Sequence, residues 1–264
     1  MEWLPAYLAL GATVGLLAGM FGIGGGTILV PALLYLFEAQ HLPAAHLMHL
    51  ALGTAMANII FTALASLRKH HQHDAVNWRI VLAITPGILI GTALGALSIS
   101  HATMQFLGIF FALFVYFAAA QILFDVRPAA SHPLPGKAGI SAFGIFAGWL
   151  SSMVSIGGGT VVVPFLVWCK LPLKHAIGTA AAIGLPIALG GSLGYVFSGL
   201  TATGLPDHTL GFIHLPALFW IALSGMVTAP LGAKAAHRMN LNLLRKLFAL
   251  LLIAVASQLL FKMI

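Results

Sequence analysis

Apolar residues in this chain come in long unbroken runs, not in alternation with polar ones. Ten runs stand out, at roughly 4–23, 27–37, 45–67, 80–99, 103–124, 138–156, 160–169, 175–199, 212–233 and 243–261. Where every face of a segment is apolar, periodicity says little, and run length and punctuation carry the reading. The first, third, fourth and fifth runs of each set of five can cross a ~30 Å hydrocarbon core as helices rising about 1.5 Å per residue. The second run of each set reaches about half way. The pattern predicts an all-α polytopic membrane protein. It has two repeats of about five hydrophobic segments, the second segment of each being a short half-helix after a Gly-Gly-Gly tip.

The repeats are legible as words. Gly24-Gly25-Gly26-Thr27 through Pro31 recurs as Gly157-Gly158-Gly159-Thr160 through Pro164. Gly53-Thr54-Ala55 recurs as Gly178-Thr179-Ala180, and Leu94-Gly95-Ala96 as Leu231-Gly232-Ala233. Phe111-Ala112-Leu113 matches Phe248-Ala249-Leu250, and Gln121 matches Gln258. The matches run in order. The reading is a first transmembrane repeat over 1–126, a cytoplasmic linker over 127–136 and a second transmembrane repeat over 137–264. The linker is rich in Pro and Gly, as an exposed connection should be.

Composition agrees with the runs. The chain is 60% hydrophobic and 6% charged, against about 25% charged in an average globular chain. Too few charges remain to wet the surface of a soluble domain, and disorder and nucleic-acid binding are excluded on the same ground. The net charge of +7 is spread through short connecting loops. One cysteine, Cys169, rules out an internal disulfide. The opening Met1-Glu2-Trp3-Leu4-Pro5 lacks the basic stretch of a signal peptide, so the first run is expected to be retained.

Basic loops set the topology. If Arg68 to Arg79 is cytoplasmic, then eleven of the twelve Lys+Arg fall inside and only Lys262 falls outside. The opposing loops 38–44, 100–102 and 200–211 contain no Lys or Arg. The third run of each repeat then ends on opposite sides of the membrane. The repeats are therefore expected to be inverted, with both termini on the outer side. Many secondary transporters share this plan and bind substrate near the midplane. The same rule makes each short segment one arm of a hairpin.

Glycines in an apolar run weaken a helix and leave backbone groups that lipid cannot satisfy. Thr27 and Thr160 are expected as N-caps of the short helices. A helix N-terminus offers N–H donors and partial positive charge to an anion, and glycine permits close approach. Pro31 and Pro164 cannot donate to the threonine carbonyls, which a cation or water could then use. The candidate binding residues are Gly24, Gly25, Gly26, Thr27, Gly157, Gly158, Gly159 and Thr160 at the tips, with Thr54 and Thr179 beside them. Asn58 is the most polar group deep in the first repeat, and Ser155 precedes the second tip; both are candidates. Small residues in membrane helices also serve close packing, and a buried Asn also bonds neighbouring helices. The anion reading requires space beside the glycines.

No Lys, Arg, Asp or Glu lies in the middle of any run, so a carboxylate proton relay is absent. A proton would have to travel on the substrate or on a histidine such as His46, His49, His175 or His214. His70, His71 and His73 beside Asp74 read as a solvated loop rather than a metal site. No metal or cofactor is expected, and the chain carries no catalytic constellation, so it is read as a non-enzyme.

Gly19-Met20-Phe21-Gly22-Ile23-Gly24-Gly25-Gly26-Thr27 through Pro31, its second copy ending at Pro164, and the elements Ala51–Thr54 and Ala176–Thr179 resemble the sulfite exporter TauE/SafE family. The resemblance covers nearly the whole chain. It implies a secondary transporter in the bacterial inner membrane for small sulfur-containing oxyanions such as sulfite, or organosulfonates such as sulfoacetate. It implies proton-linked export, with the two glycine motifs at the transport site. The alternative carried by the residues themselves is a channel or carrier for a cation or neutral solute, held by free carbonyls at the helix breaks. Lipid, the substrate anion and protons are the expected partners; no nucleic acid is expected, and oligomeric state is left open.

Overall fold

The structure, a computed structural model, describes residues 3–21, 25–124, 131–236 and 241–263. Its elements run α1 (Leu4–Phe21), α2 (Gly26–Ala39), a 3-10 turn (Ala44–His46), α3 (Leu47–Gln72), α4 (Trp78–His101) and α5 (Met104–Leu123). They continue as α6 (Lys137–Val154), α7 (Gly159–Trp168), α8 (Leu173–Leu200), α9 (Leu215–Ala236) and α10 (Leu241–Met263). A two-residue antiparallel ladder pairs Thr209 with His214 and Leu210 with Ile213 just before α9. The all-α polytopic expectation holds.

The half-length segments are real helices. With 14 residues α2 spans about 21 Å, and with 10 residues α7 spans about 15 Å. Among the described residues, five helices are long and apolar enough to cross a membrane: Ala44–Gln72, Trp78–His101, Met104–Leu123, Leu173–Leu200 and Leu215–Gly232. Eight long segments were expected. Of the other three, α1 and α6 are 18 residues each and α10 is 23.

Packing between the halves is reciprocal. The first helix of each half lies along the fourth helix of the other, α1 on α9 and α6 on α4. The third helices α3 and α8 pack on each other at the centre, and the fifth helices α5 and α10 pair likewise. The two long seams are built from small residues. A Cβ at Gly11 would meet Ile221 and Ser224, and one at Gly15 would meet Gly225 and Thr228. In the other seam a Cβ at Gly144 would lie 2.6 Å from the Ile84 carbonyl, and one at Gly148 would lie 2.5 Å from that of Ile88. Such Gly-x-x-x-Gly edges let two backbones touch, which in lipid supplies the van der Waals contact that holds helices together.

The loops gather at two ends. At one, Ala75 and Asn77 contact Gly178 and Thr179, and the N–H groups of Ser131 and His132 donate to Trp168. At the other, His46 Nε2 lies 3.1 Å from the Thr203 carbonyl, His49 Nε2 lies 3.3 Å from that of Ile99, and Lys262 pairs with Glu38. Between the ends the outer helices present large apolar side chains, including Leu82, Phe117, Phe219 and Val227, all more than half exposed. That belt fits lipid and would be a liability in water.

Candidate functional site at the two helix breaks

The second break is fully described. Helix α6 ends at Val154, and Ser155 turns the chain in the left-handed region at φ 48°, ψ 55°. For a residue with a Cβ this conformation costs about 1–2 kcal/mol. Its side chain compensates: Ser155 Oγ donates to the Leu52 carbonyl of α3 at 2.7 Å, and the buried Tyr195 hydroxyl donates to the Ser152 carbonyl at 2.8 Å. The chain then reaches Gly158, the N-cap of α7. A Cβ on Gly158 would lie 2.6 Å from the Ala180 carbonyl of α8, whereas Gly157 has only Ile59 within reach. Gly159 and Thr160 open the helix, and the Thr160 hydroxyl is buried with no hydrogen-bond partner. Ser151 Oγ is likewise buried without a partner.

At the first break Gly24 lies outside the described residues. Gly25 is the N-cap of α2, and Gly26 and Thr27 are its first residues, both buried. The expectation of threonine N-caps is corrected in both halves. The caps are Gly25 and Gly158, and neither helix has a side-chain cap bond. Moving the cap two residues earlier puts the threonine in the first turn, where its own N–H joins those that have no intrahelical partner. The two breaks touch. A Cβ at Gly26 would collide with the Ser155 carbonyl, so only glycine lets α2 start against the second turn.

Beside Gly25 lies a small cavity of about 10 Å³, close to the least that holds one water. Val14 and Ala18 of α1, Asn58 and Thr62 of α3, and Gly225 of α9 close it. Asn58 is 6% exposed, and its Oδ1 has no hydrogen-bond partner. A water-sized space and an unsatisfied polar group therefore occur together at the first break, although Gly25 itself is packed on Val14, with which an added Cβ would collide.

The Gly-Thr pairs stand apart from the tips. Thr54 Oγ1 accepts the His214 backbone N–H at 3.0 Å, and Thr179 Oγ1 accepts that of Asn77 at 3.0 Å. Each donor precedes the fourth helix of the opposite half. His214 Nδ1 and Asn77 Oδ1 then accept the N–H of Ala217 and Ile80, in matching positions. Gly53 and Gly178 admit the carbonyls of Phe212 and Ala75. Both threonine hydroxyls are wholly buried and engaged in holding one half to the other.

The histidines sit at the ends. His49 packs on Phe212 at 4.8 Å, His214 on Phe37 at 5.1 Å, and His71 Nδ1 accepts the Trp78 indole N–H at 3.4 Å. Among the described residues no three His, Cys, Asp or Glu come together as a metal site would need. Sequence reading missed Tyr195, the Leu52 carbonyl and Gly225. Only Gly225 had a local signal, the run of small residues through α9.

Chemically, the described residues at the two breaks offer two helix N-termini, buried hydroxyls and the Asn58 amide, with no Lys, Arg, Asp or Glu among them. Such a place can hold a small anion by N–H donors and partial charge.

Comparison with known proteins gives a consistent answer. The sulfite exporter TauE/SafE family profile matches residues 7–259. A "probable membrane transporter protein" of Haemophilus influenzae is 34% identical over 260 residues, covering 97% of each chain. Proteins with the same description from Methanocaldococcus jannaschii and Bacillus subtilis are each 26% identical, covering 92% and 86% of this chain and 90% and 87% of their own lengths. No solved structure matches. The chain belongs to the TauE/SafE sulfite exporter family of membrane transporters.

Proposed function

We propose that this protein is a secondary transporter that exports small sulfur-containing oxyanions, sulfite or an organosulfonate such as sulfoacetate, across the bacterial inner membrane. The observation that carries this reading is the meeting of the two breaks, with the α2 N-terminus seated against the Ser155 turn that leads into α7. In this reading the donors of Gly25–Thr27 and of Gly157–Thr160 close on the anion from the two breaks, with Asn58 beside the first. Thr54, Thr179 and Ser155 hold the frame that positions these donors.

The mechanism is alternating access between two inverted repeats. The reciprocal seams α1–α9 and α6–α4 support a two-fold relation between the halves, since the first helix of each half packs along the fourth helix of the other through a matching glycine edge. The pairing of Lys262 with Glu38 supports placing the C-terminus at the same end as the loop after α2, which the charge rule puts outside. The cavity beside Gly25 is too small for a sulfur oxyanion, so binding requires the tip to separate from the α1–α9 seam. With no acid or base buried mid-span, the proton that accompanies transport travels on the substrate.

The experiment is flux. Purified protein in proteoliposomes loaded with labelled sulfite should release it faster than empty liposomes when the outside is made acidic or alkaline, with a clear dependence on the gradient. Sulfite held as tightly as in protein-free vesicles under every gradient, by protein that is folded and correctly inserted, would reject the assignment.

A further inference from the structure

The third and fourth helices of each half are joined by connections of unequal size. Residues 73–77 join α3 to α4, and residues 201–214 join α8 to α9. The bonds that seat them correspond. The Ala75 N–H donates to the His70 carbonyl, and the Phe212 N–H to that of Tyr195, at 3.1 Å in each case. His70 and Tyr195 stand sixteen residues after the latch threonines Thr54 and Thr179. The seat is repeated, and the second half adds a longer strap. Its small ladder, pairing Thr209 with His214 and Leu210 with Ile213, puts an aromatic ring where the first half has Ala75.

The strap covers the end that the basic loops leave outside. The Phe212 ring lies 5.6 Å from that of His46 and 4.8 Å from that of His49, and His46 Nε2 reaches the Thr203 carbonyl. Residues 211–214 are buried, while Thr203, Asp207, His208 and Leu210 are exposed.

The strap and the second break share their supports. On α3, three consecutive residues divide the task. The Leu52 carbonyl accepts from Ser155 Oγ, Gly53 admits the Phe212 carbonyl, and Thr54 Oγ1 accepts the His214 N–H. On α8, one residue serves both. The Tyr195 carbonyl holds the strap, while its hydroxyl donates to the Ser152 carbonyl at 2.8 Å and lies 3.5 Å from Ser155 Oγ. Tyr195 is wholly buried, and a close-packed interior passes a displacement on to its neighbours.

We infer that the strap 201–214 is the outer gate of the transporter, and that Tyr195 is the positioning residue that ties it to the second break. This rests on the transport reading above and deepens it. Lifting the strap takes Phe212 and His214 off Tyr195 and off the Leu52–Thr54 turn, the same groups that hold Ser152 and Ser155. A guest that shifts the Ser155 turn therefore biases the strap without touching it.

The test puts a reporter on the strap. Leu210, exposed on the ladder, is replaced by cysteine in a Cys169→Ala background and joined to an environment-sensitive fluorophore through a thioether, which sulfite does not cleave. Purified full-length protein is saturated with sulfite, with binding followed separately by calorimetry, so that emission is compared at full occupancy. The reporter protein should change emission as sulfite binds. With Tyr195→Phe added it should still saturate, while the emission change falls to about a tenth or less. A tyrosine that only fills the core would lower thermal stability and leave the saturating change at its original size, and that result overturns the tie. Emission that ignores bound sulfite in the reporter protein itself overturns the strap as gate. Hydrogen exchange on the unmodified protein decides the matter if Tyr195→Phe does not fold. Sulfite should alter the protection of peptides over 201–214 and over 151–156 together, and a change confined to one of them overturns the link. Protein that binds no sulfite rejects the transport assignment itself, a separate outcome with which this inference also falls.

Discussion

The Thr54 hydroxyl accepts the backbone N–H of His214 at 3.0 Å, across 160 positions of sequence. The same bond recurs between Thr179 and Asn77. A buried N–H is costly to leave unpaired, so these two hydroxyls act as latches between the halves. Thr54→Val and Thr179→Val should each lower stability by about 1–3 kcal/mol, and serine at either position should recover most of it. Thermal unfolding in detergent reads this directly. A valine variant as stable as wild type would show the latch to be idle.

Ser155 offers a sharper comparison. Its left-handed backbone is a cost that glycine removes, while its hydroxyl bond to Leu52 is a gain that both glycine and alanine forfeit. Ser155→Ala should therefore be less stable than Ser155→Gly, by about 1 kcal/mol. The reverse order would show that the turn relaxes in the absence of the hydroxyl.

The seams should be intolerant of bulk. Gly148→Leu would drive a side chain into the α4 backbone at Ile88, and overpacking of this kind costs about 1–3 kcal/mol or more. Its partner seam gives a matched variant in Gly15→Leu. Both should raise the polydisperse fraction in size-exclusion profiles, and a leucine that leaves the profile unchanged would mean the helices can part freely.

Sidedness has its own readout. Cys169 is buried and can be replaced. Single cysteines at exposed Gln72 and exposed Thr201, each in a Cys169→Ala background, should react with an impermeant maleimide from opposite sides of the membrane. In intact cells Thr201→Cys should label and Gln72→Cys should not. Labelling of both from outside would undo the topology drawn from the basic loops.

Much of this architecture was legible in the chain because apolar runs, repeated words and loop charge are all local. The half-length α2 and α7, and their glycine starts, follow from them. The roles of Thr54 and Thr179 were not legible, because their partners lie in the opposite half and only tertiary packing brings them close. The caps fell two residues earlier than the threonines because the glycines themselves take up the cap backbone. The seams did have a signal in Gly11/Gly15 and Gly144/Gly148, the same spacing in both halves. Asn58 could be singled out as polar, but that its oxygen goes unpaired beside a cavity is a fact of three dimensions.

The crossing of first helices onto fourth helices also bears on how the molecule is made. As the chain leaves the ribosome, α1 must wait in the bilayer, its glycine edge uncovered, until α9 is inserted some two hundred residues later. Assembly is therefore a late event, completed only after both halves are in the lipid. The two halves, expressed as separate polypeptides in one cell, should find each other and rebuild the working unit, whereas neither should persist alone.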